Sequence, residues 1–430
     1  MAHSASSCPK SAVSSGVGLA GLLGLGLWVL VARHYGMDGP NAGLTAVVAC
    51  GLPMILWSLL VDKVHRRSST GIDWANPKPL SATYEVSLVK LLGLWATWAL
   101  IALIFMTMSW YWQGPYPFVM RLYTAAAPFL VGFSIPYVLW LDRYLVDPRD
   151  GAHAFGLWII GGEEKAQPGA VAGHARAWAV KGFFLTFMLA VVPGNFADMI
   201  HWKDAEILGN PVAFASFLIA LLFTIDVAFA TVGYICTCRP LDAHIRSATP
   251  WLEGWVSALV CYPPFVLMGP NGPIHYTQDT RDWAYWFAGH EVLLWAWGGL
   301  LVLLTGVYAW ATVAFGLRFS NLTNRGVLTH GPYRLTRHPA SVAKNLFWWL
   351  SVLPFLVTSD SPTTALRNTL MLGVVSAIYY WRARTEEKHL LTDADYRAYH
   401  DWAQAHAPIT RILSAVRGRG GEKETFLAAE

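Results

Sequence analysis

Ten apolar stretches dominate this sequence, and their lengths limit what the chain can fold into. Nine contain no Asp, Glu, Lys or Arg, and the tenth is interrupted only by Asp226. A bilayer core about 30 Å thick requires about 20 apolar residues in a helix, and several of these runs reach that length. The runs cover residues 11–32, 42–61, 91–110, 122–141, 182–197, 211–238, 254–268, 292–317, 345–359 and 368–381.

The charged fraction agrees with a membrane environment. Charged residues make up 13% of the chain, against roughly 25% in a typical soluble domain. A soluble protein of this size would lack the polar surface to cover itself. The sequence therefore predicts an all-α, polytopic membrane protein with about ten transmembrane segments.

The last two apolar runs differ from the others. Residues 345–359 and 368–381 form runs too short to cross a bilayer comfortably as independent helices. The segment Asp360-Ser-Pro-Thr-Thr separates them. This arrangement predicts a short helical hairpin that returns the chain to the side from which it started.

Lys and Arg in the loops predict the orientation, because short cytoplasmic loops carry the excess of positive charge. The loops 62–83, 142–176 and 318–344 are rich in these residues, and the loops between them are poorer. The alternation places both termini, and the loops that carry the polar motifs, on the cytoplasmic side.

Other broad classes of function fit the sequence poorly. The net charge of +4 is modest, and neither a nucleic-acid-binding module nor a basic helix is visible. Cys236 and Cys238 lie at the predicted cytoplasmic end of a helix, where thiols stay reduced. Two thiols without a nearby His-rich partner make a weak metal site, and the spacing of His275, His290 and Glu291 matches no zinc-binding helix pattern. We therefore predict no metal.

The polar residues near the membrane concentrate in two clusters. The first covers residues 321–345, where Gly331-Pro332 and His338-Pro339 interrupt regular helix and expose backbone groups. The second covers residues 381–390, where Arg382 and Glu386 are four apart and share a helix face. These two residues are expected to form an ion pair or the floor of one site. The hairpin between the clusters is expected to bring them together.

The two clusters carry a family resemblance. Gly331-Pro-Tyr-Arg-x-x-Arg-His-Pro, an apolar hairpin, Arg382-x-x-x-Glu-Glu-x-x-Leu390 and the following Asp395-Tyr-Arg-Ala-Tyr resemble the isoprenylcysteine carboxyl methyltransferase family. That family belongs to a wider group of membrane methyltransferases that includes phospholipid methyltransferases. The resemblance covers roughly residues 290–410. It implies an enzyme that uses S-adenosylmethionine in a cytosol-facing pocket and takes a lipid or lipidated substrate from the bilayer.

The resemblance also implies roles for individual residues. Arg382 matches the family position that handles the substrate. Ser341 and Ala343 stand where the family often has Tyr and Gly. The residues implied to contact the cofactor are Arg325, Gly326, Val327, Leu328, Tyr333, His338, Pro339, Ala340, Ser341 and Glu386.

The acceptor group determines whether a base is needed. Methyl transfer from a sulfonium depends mainly on alignment and removal of water. A carboxylate acceptor requires no base, and Arg382 would orient it through paired hydrogen bonds. An amine or thiol acceptor must lose a proton, and Glu386, Glu387 or His338 would be the base. We take Arg382 and Glu387 as the candidate catalytic residues.

Simpler interpretations stand beside each of these assignments. Arg334 and Arg337 are also typical of anchors to phosphate head groups. Glu386 and Glu387 are also typical of a solvated helix face. Tyr396, Tyr399 and Trp402 follow a roughly helical spacing that favours packing or interfacial anchoring over substrate contact.

Two other functions remain open at the level of sequence. The first is a membrane reductase of the sterol type that uses NADPH, although this chain has Arg337-His-Pro and Thr385-Glu-Glu where such reductases tend to carry Arg-His-x-Asn-Tyr and Asp-Arg-Cys. The second is a transporter or scaffold without catalysis. Asp226 at mid-membrane favours transport, whereas the lack of an inverted repeat argues against it.

The sequence predicts three parts. Residues 1–285 form a multi-helix membrane region of unknown role, residues 286–415 form the methyltransferase-like membrane domain, and residues 416–430 form a flexible tail.

Overall fold

A computed structural model describes residues 7–162, 164 and 166–417. Within these residues the protein is mostly helical, and its short strands β1 (Ser247–Ala248) and β2 (Thr323–Asn324) pair antiparallel. The helices are α1 (Ser15–Tyr35), α2 (Pro40–Leu60), α3 (Leu80–Thr107), α4 (Tyr116–Leu141), α5 (Gly151–Ile159), α6 (Ala170–Ile200), α7 (Asp204–Gly209), α8 (Pro211–Ile235), α9 (Leu252–Leu259), α10 (Trp283–Trp286), α11 (Glu291–Phe315), α12 (Pro339–Val352), α13 (Pro362–Leu390), α14 (Ala394–His406) and α15 (Pro408–Arg417). Of the predicted tail, residues 418–430 lie outside the described residues.

Seven helices in the described part of the chain are long and apolar enough to span a membrane. They are α1, α2, α3, α4, α6, α8 and α11. Each contains all or most of one apolar run of the sequence, so the chain is a multi-pass membrane protein. The helices α2, α8, α12 and α13 begin with proline, which suits the first helical position because its N–H has no intrahelical partner there.

The predicted hairpin is present, but its two helices are unequal. Helix α12 has 14 residues, whereas α13 has 29 residues and continues past the apolar run through residues 382–390. The second polar cluster therefore lies on the same rigid helix as the returning apolar segment. This continuity fixes the position of the cluster relative to the apolar part of the hairpin.

The expectation that residues 254–268 form a spanning helix is wrong. Helix α9 has eight residues and is about 12 Å long, and Pro263 and Pro264 follow it in an irregular segment. Proline lacks the N–H that a continuing helix requires. Apolar composition does not distinguish a regular spanning helix from irregular chain that packs partly buried against α13.

The irregular segment runs along α13 in the opposite direction. The Glu253 carboxylate contacts Lys388 Nζ at 2.7 Å near one end of α13. Toward the other end, Asn368 Nδ2 donates to the carbonyl of Gln278 at 2.7 Å. Irregular backbone is tolerated at membrane depth only where protein groups satisfy it. Contacts with α13 provide that environment here.

Helices α8 and α11 form the centre of the fold and run in the same direction. The rings of Phe214 and Trp295 contact each other near the first residues of both helices. One buried cluster joins α1, α2 and α8 to α11 and α14, and it includes Met54, Phe229 and Tyr399. Residues on both sides of position 285 thus share one core.

Candidate active site

A cavity opens at the end of α11, beside the first turn of α12, the last turns of α13 and one side of α14. It encloses about 1290 Å³, its open mouth included. Its wall is formed largely by residues 318–328, by residues 333–344 and by residues of α13 between 379 and 390. The hairpin therefore brings the two polar clusters around one space.

Most of the site residues predicted from the sequence line this cavity. Glu387 does not. The residues that do are Arg325, Gly326, Val327, Leu328, Tyr333, His338, Pro339, Ala340, Ser341, Arg382 and Glu386.

Glu387 lies behind the wall in an ion cluster. Its Oε1 is 2.9 Å from Arg337 Nε and 3.2 Å from His338 Nε2, and Arg384 Nη1 is 3.5 Å from its Oε2. Burial raises the pKa of the Glu387 carboxyl, but the hydrogen bond and charge of His338 and the charge of Arg337 outweigh burial and lower it to about 2. Glu387 is therefore a carboxylate near neutral pH and holds two residues that line the cavity.

Glu386 points in a different direction because successive residues of a helix are rotated by about 100°. It lines the cavity and is half-buried. Its charge acts on Tyr333 and Tyr396. Within the described residues its carboxylate has neither a hydrogen bond nor an ion pair, so its oxygens are available to a bound molecule.

Arg382 is held by contacts other than the expected ion pair with Glu386. Its Nη2 donates to Asn321 Oδ1 at 2.6 Å. Its guanidinium lies 5.5 Å from the ring centroid of Tyr262 and 5.9 Å from that of Tyr379. The aromatic faces and the amide oxygen fix the guanidinium at the cavity wall, where it can bind an anionic group.

The hydrogen-bond donors of the Arg325 side chain all have acceptors within the protein. The residue is 2% exposed, and each of its N–H groups points at a backbone carbonyl. The acceptors are the carbonyls of Gly233, Cys236, Ala243, Leu317 and Phe319. These carbonyls include groups at the carboxyl ends of α8 and of the helical turn after α11, where helices leave acceptors unsatisfied. The guanidinium therefore ties two helix ends together at the cavity wall.

Residues 11 and 12 pack behind the same wall and support it. The Ala12 N–H donates to the Val327 carbonyl at 2.8 Å, and Ser11 Oγ is 2.8 Å from His330 Nδ1. Gly326 has a φ of +101°, and a Cβ there would lie 2.4 Å from Arg318 Nη1. Only glycine fits this crowded backbone without displacing the arginine. Residues 11 and 12 thus support the segment expected to contact a cofactor.

Helix α14 closes the cavity with two tyrosines. Tyr396 and Tyr399 are buried and line the cavity, and Tyr399 Oη donates to the Tyr333 carbonyl at 2.7 Å. The helical spacing correctly identified these side chains as packed. It gave no sign that their packed faces form a cavity wall.

The opposite end of the cavity reaches the apolar part of the hairpin. Lys344 Nζ lies 5.3 Å, 5.2 Å and 5.5 Å from the ring centroids of Tyr308, Trp348 and Tyr379. Among the described residues no carboxylate lies within ion-pair distance of it, although its charge acts on Asp226. Three aromatic faces stabilise the ammonium through cation–π attraction and leave its N–H groups without an acceptor.

Asp226 lies next to this end of the cavity. Its carboxyl accepts hydrogen bonds from Thr312 Oγ1 and from Tyr308 Oη, the latter at 2.9 Å. Both donors come from α11 and both line the cavity. The Asp226 carboxyl of α8 is therefore satisfied across a helix interface, as a buried polar group requires.

Comparison with protein-family profiles, with curated proteins and with solved structures gives no match to this chain. Within the described residues, no group of three or more His, Cys, Asp or Glu side chains is arranged to hold a metal ion.

Proposed function

We propose that this protein is an integral-membrane methyltransferase that transfers a methyl group from S-adenosylmethionine to a lipid or lipidated acceptor. The observation that carries the proposal is the convergence of two motifs. Residues 331–339 and residues 382–390 are separated by the hairpin, yet their polar side chains surround one cavity. The motif resemblance supplies the chemistry, and this convergence supports it.

The free groups of the cavity fit the zwitterionic end of the cofactor. Arg337 Nη1 is buried and has no hydrogen-bond partner within the described residues, and the Glu386 carboxylate faces the same cavity. A guanidinium complements the cofactor's carboxylate, and a carboxylate complements its ammonium. Val327 and Leu328 offer apolar surface to its remaining parts. When bound, S-adenosylmethionine supplies an activated methyl group on a sulfonium.

We assign the acceptor to the membrane-side end of the cavity. Arg382 and Lys344 provide positive charge there, and Tyr262, Tyr308 and Tyr379 provide apolar walls. A low-water environment strengthens the attraction between these cations and an anionic acceptor. A lipid carboxylate is therefore the favoured acceptor, and Arg382 would orient it for in-line displacement without a base.

Glu387 takes a different role from the catalytic role expected from the sequence. Its lowered pKa makes it a poor proton acceptor near neutral pH, and it lies outside the cavity. We assign it as a positioning residue that holds Arg337 and His338. If the acceptor is an amine or a thiol, His338 and Glu386 are the groups at the cavity that could take its proton.

Calorimetric binding to the detergent-purified protein tests the proposal. S-adenosylmethionine and S-adenosylhomocysteine are expected to bind, and Glu386→Gln is expected to abolish measurable binding. Glu85→Gln is the matched control because Glu85 is exposed on α3, and it should bind both compounds like the parent protein. Binding of NADPH without the adenosyl compounds would favour a reductase, and binding of none of them would refute an enzyme that uses either cofactor.

A further inference from the structure

A second cavity lies among α3, α4 and α6 in the part of the chain that the motif resemblance does not cover. It encloses about 1760 Å³, its open mouth included. The segment 236–246 separates it from the first cavity: Asp242 and Ala243 bind Arg318 and Arg325 beside the first cavity, whereas Cys238, Arg239 and His244 line the second. The two cavities therefore share a wall but have different linings.

The second cavity has an apolar wall along α4, where it opens sideways. Phe129, Leu130 and Phe133 line it, and these side chains are 65%, 52% and 69% exposed. Because α4 is one of the candidate membrane spans, an opening along it faces lipid and not water. Trp98 and Trp178 complete the apolar lining.

The acidic groups of the cavity already have partners. Lys90 Nζ contacts Asp142 Oδ1 at 2.5 Å and Asp150 Oδ2 at 3.1 Å. Asp142 also accepts from Ser87 Oγ at 2.8 Å, and Asp150 caps the first turn of α5. Lys90 therefore bridges the two carboxylates, and the lining as a whole has three Lys or Arg side chains against two Asp side chains.

The remaining basic groups lack such partners. Lys181 Nζ lies 4.1 Å from the ring centroid of Trp178 and has no carboxylate partner in the described part of the chain. Arg239 uses Nη1 to donate to the Thr70 carbonyl at 3.1 Å, and His244 Nδ1 is buried without a hydrogen-bond partner. The available polar groups of this cavity are therefore mostly cationic.

Lys181 lies where the polar first turns of α6 meet its apolar run 182–197. It lies eleven residues after the first residue of α6, which corresponds to about 16 Å along the helix. A partly buried cation at this position is stabilised by aromatic faces and by anionic groups. The Trp178 ring stabilises the Lys181 ammonium in part, and a bound anion would stabilise it further.

We propose that this second cavity binds a membrane amphiphile with an anionic head group, a carboxylate or a phosphate. The head group contacts Lys181 and Arg239, and the apolar chain lies along Phe129 and Phe133 of α4. Charge complementarity selects an anion, and the sideways opening admits it from the bilayer. The proposal is independent of methyl transfer in the first cavity.

Photo-labelling locates such a ligand. The detergent-purified full chain is irradiated with a diazirine-bearing fatty acid, and the labelled peptides are identified by mass spectrometry. We expect labels on residues 126–138 of α4, with unlabelled oleate competing for them. Labels spread evenly over the other exposed apolar helices would overturn the proposal.

Binding measurements then test the head group. Oleate and dodecyl phosphate are expected to bind, and Lys181→Gln is expected to weaken both by about tenfold or more, as loss of a hydrogen bond to a charged group predicts. Lys181→Arg should restore binding. Lys203→Gln is the control because Lys203 is exposed outside the cavity.

Two further ligands distinguish an anionic amphiphile from a neutral lipid and from a soluble anion. Equal binding of oleyl alcohol would show that the head-group charge is irrelevant and would overturn the proposal. Competition by inorganic phosphate alone would identify a soluble anion as the ligand and would also overturn it. If Lys181→Gln does not fold, photo-labelling of the parent protein still decides the question. Loss of S-adenosylmethionine binding in the Glu386→Gln variant leaves this result unchanged.

Discussion

Arg337 Nε and Glu387 Oε1 lie 2.9 Å apart in a nearly dry environment behind the first cavity. Arg337 comes from the turn before α12, and Glu387 comes from α13. The ion pair therefore joins the two motifs that the hairpin separates in sequence. Because His338 contacts the same oxygen at 3.2 Å, a single carboxylate fixes two neighbouring residues of the cavity wall.

Replacing Glu387 by Gln should destabilise the protein and weaken cofactor binding together. Removing one partner of a buried ion pair typically costs about 3–5 kcal/mol, because it leaves a buried charge without compensation. Thermal unfolding in detergent and calorimetry measure the two effects. Glu253→Gln is the control: its carboxylate pairs with Lys388 at 2.7 Å but is 41% exposed, so the expected cost is about 0–1 kcal/mol. Equal effects of the two variants would contradict the positioning role.

Removing the Tyr399 hydroxyl should lower stability and cofactor binding more than removing the Tyr396 hydroxyl. Tyr399→Phe removes the hydrogen bond to the Tyr333 carbonyl and leaves that buried acceptor unpaired, which costs about 1–3 kcal/mol. Tyr396→Phe is the matched control, because its hydroxyl makes no hydrogen bond with the described residues. We expect a lower unfolding temperature and weaker S-adenosylmethionine binding for Tyr399→Phe alone. Identical behaviour of both variants would show that α14 contributes only ring packing.

Replacing Asn321 should reduce methyl transfer to the acceptor more than it reduces binding of the cofactor. Asn321→Ala removes the amide oxygen that holds Arg382 Nη2 at 2.6 Å, so the guanidinium loses its fixed orientation. We expect methyl transfer to a lipid carboxylate to fall by about tenfold, while calorimetric binding of S-adenosylhomocysteine changes little. Asn76→Ala is the control, since Asn76 is exposed in the loop before α3. A parallel loss of cofactor affinity would place Arg382 on the cofactor side of the cavity.

The sequence was sufficient to predict that the two polar clusters meet. A short hairpin must return the chain, so residues 331–339 and 382–390 had to come close whatever the details of packing. It was not sufficient to distinguish Glu386 from Glu387. Neighbouring residues on a helix face different directions, and only the rotation of α13 against α12 and α14 decides which one faces the cavity.

Two further features depend on long-range contacts that no local pattern reports. The four-residue spacing of Arg382 and Glu386 predicted an ion pair or the floor of one site; both residues line the cavity, but Asn321, 61 residues away, provides the hydrogen-bond partner of Arg382. The support of Val327 by Ala12 is a backbone hydrogen bond, and a backbone bond leaves no signature in residue type. The prediction of a spanning helix over residues 254–268 is wrong for a related reason, because packing against α13 and exposure to lipid favour the same apolar composition.

Acid should destabilise the protein partly through His389. Burial, with the charge of Arg176 adding to it, lowers the pKa of His389 from 6.5 to about 4. Between about pH 6.5 and pH 4 the unfolded chain binds a proton at this site that the folded chain does not bind. Stability is therefore complete above pH 6.5 and decreases as the pH falls.

Unfolding temperatures measured across this pH range test the assignment. His389→Gln should make the decrease shallower, because the variant lacks the proton taken up on unfolding. His201→Gln is the control, since the side chain of His201 is 64% exposed, and its profile should match that of the parent protein. An unchanged slope in His389→Gln would mean that other groups cause the acid sensitivity.

Arg325→Lys should be among the most damaging conservative changes near the cavity. The guanidinium directs all five N–H groups at backbone carbonyls, which belong to the end of α8, to the turn after α11 and to Ala243, whereas an ammonium has three donors and cannot reach all of these acceptors. Leaving buried carbonyls unpaired costs about 1–3 kcal/mol each, so we expect a marked fall in unfolding temperature and in the yield of folded protein. Arg334→Lys is the control because Arg334 is exposed in the same segment, and a change there should stay within about 0.5 kcal/mol. Normal stability of Arg325→Lys with lost S-adenosylmethionine binding would instead show that the guanidinium contacts the cofactor, as the motif resemblance implies.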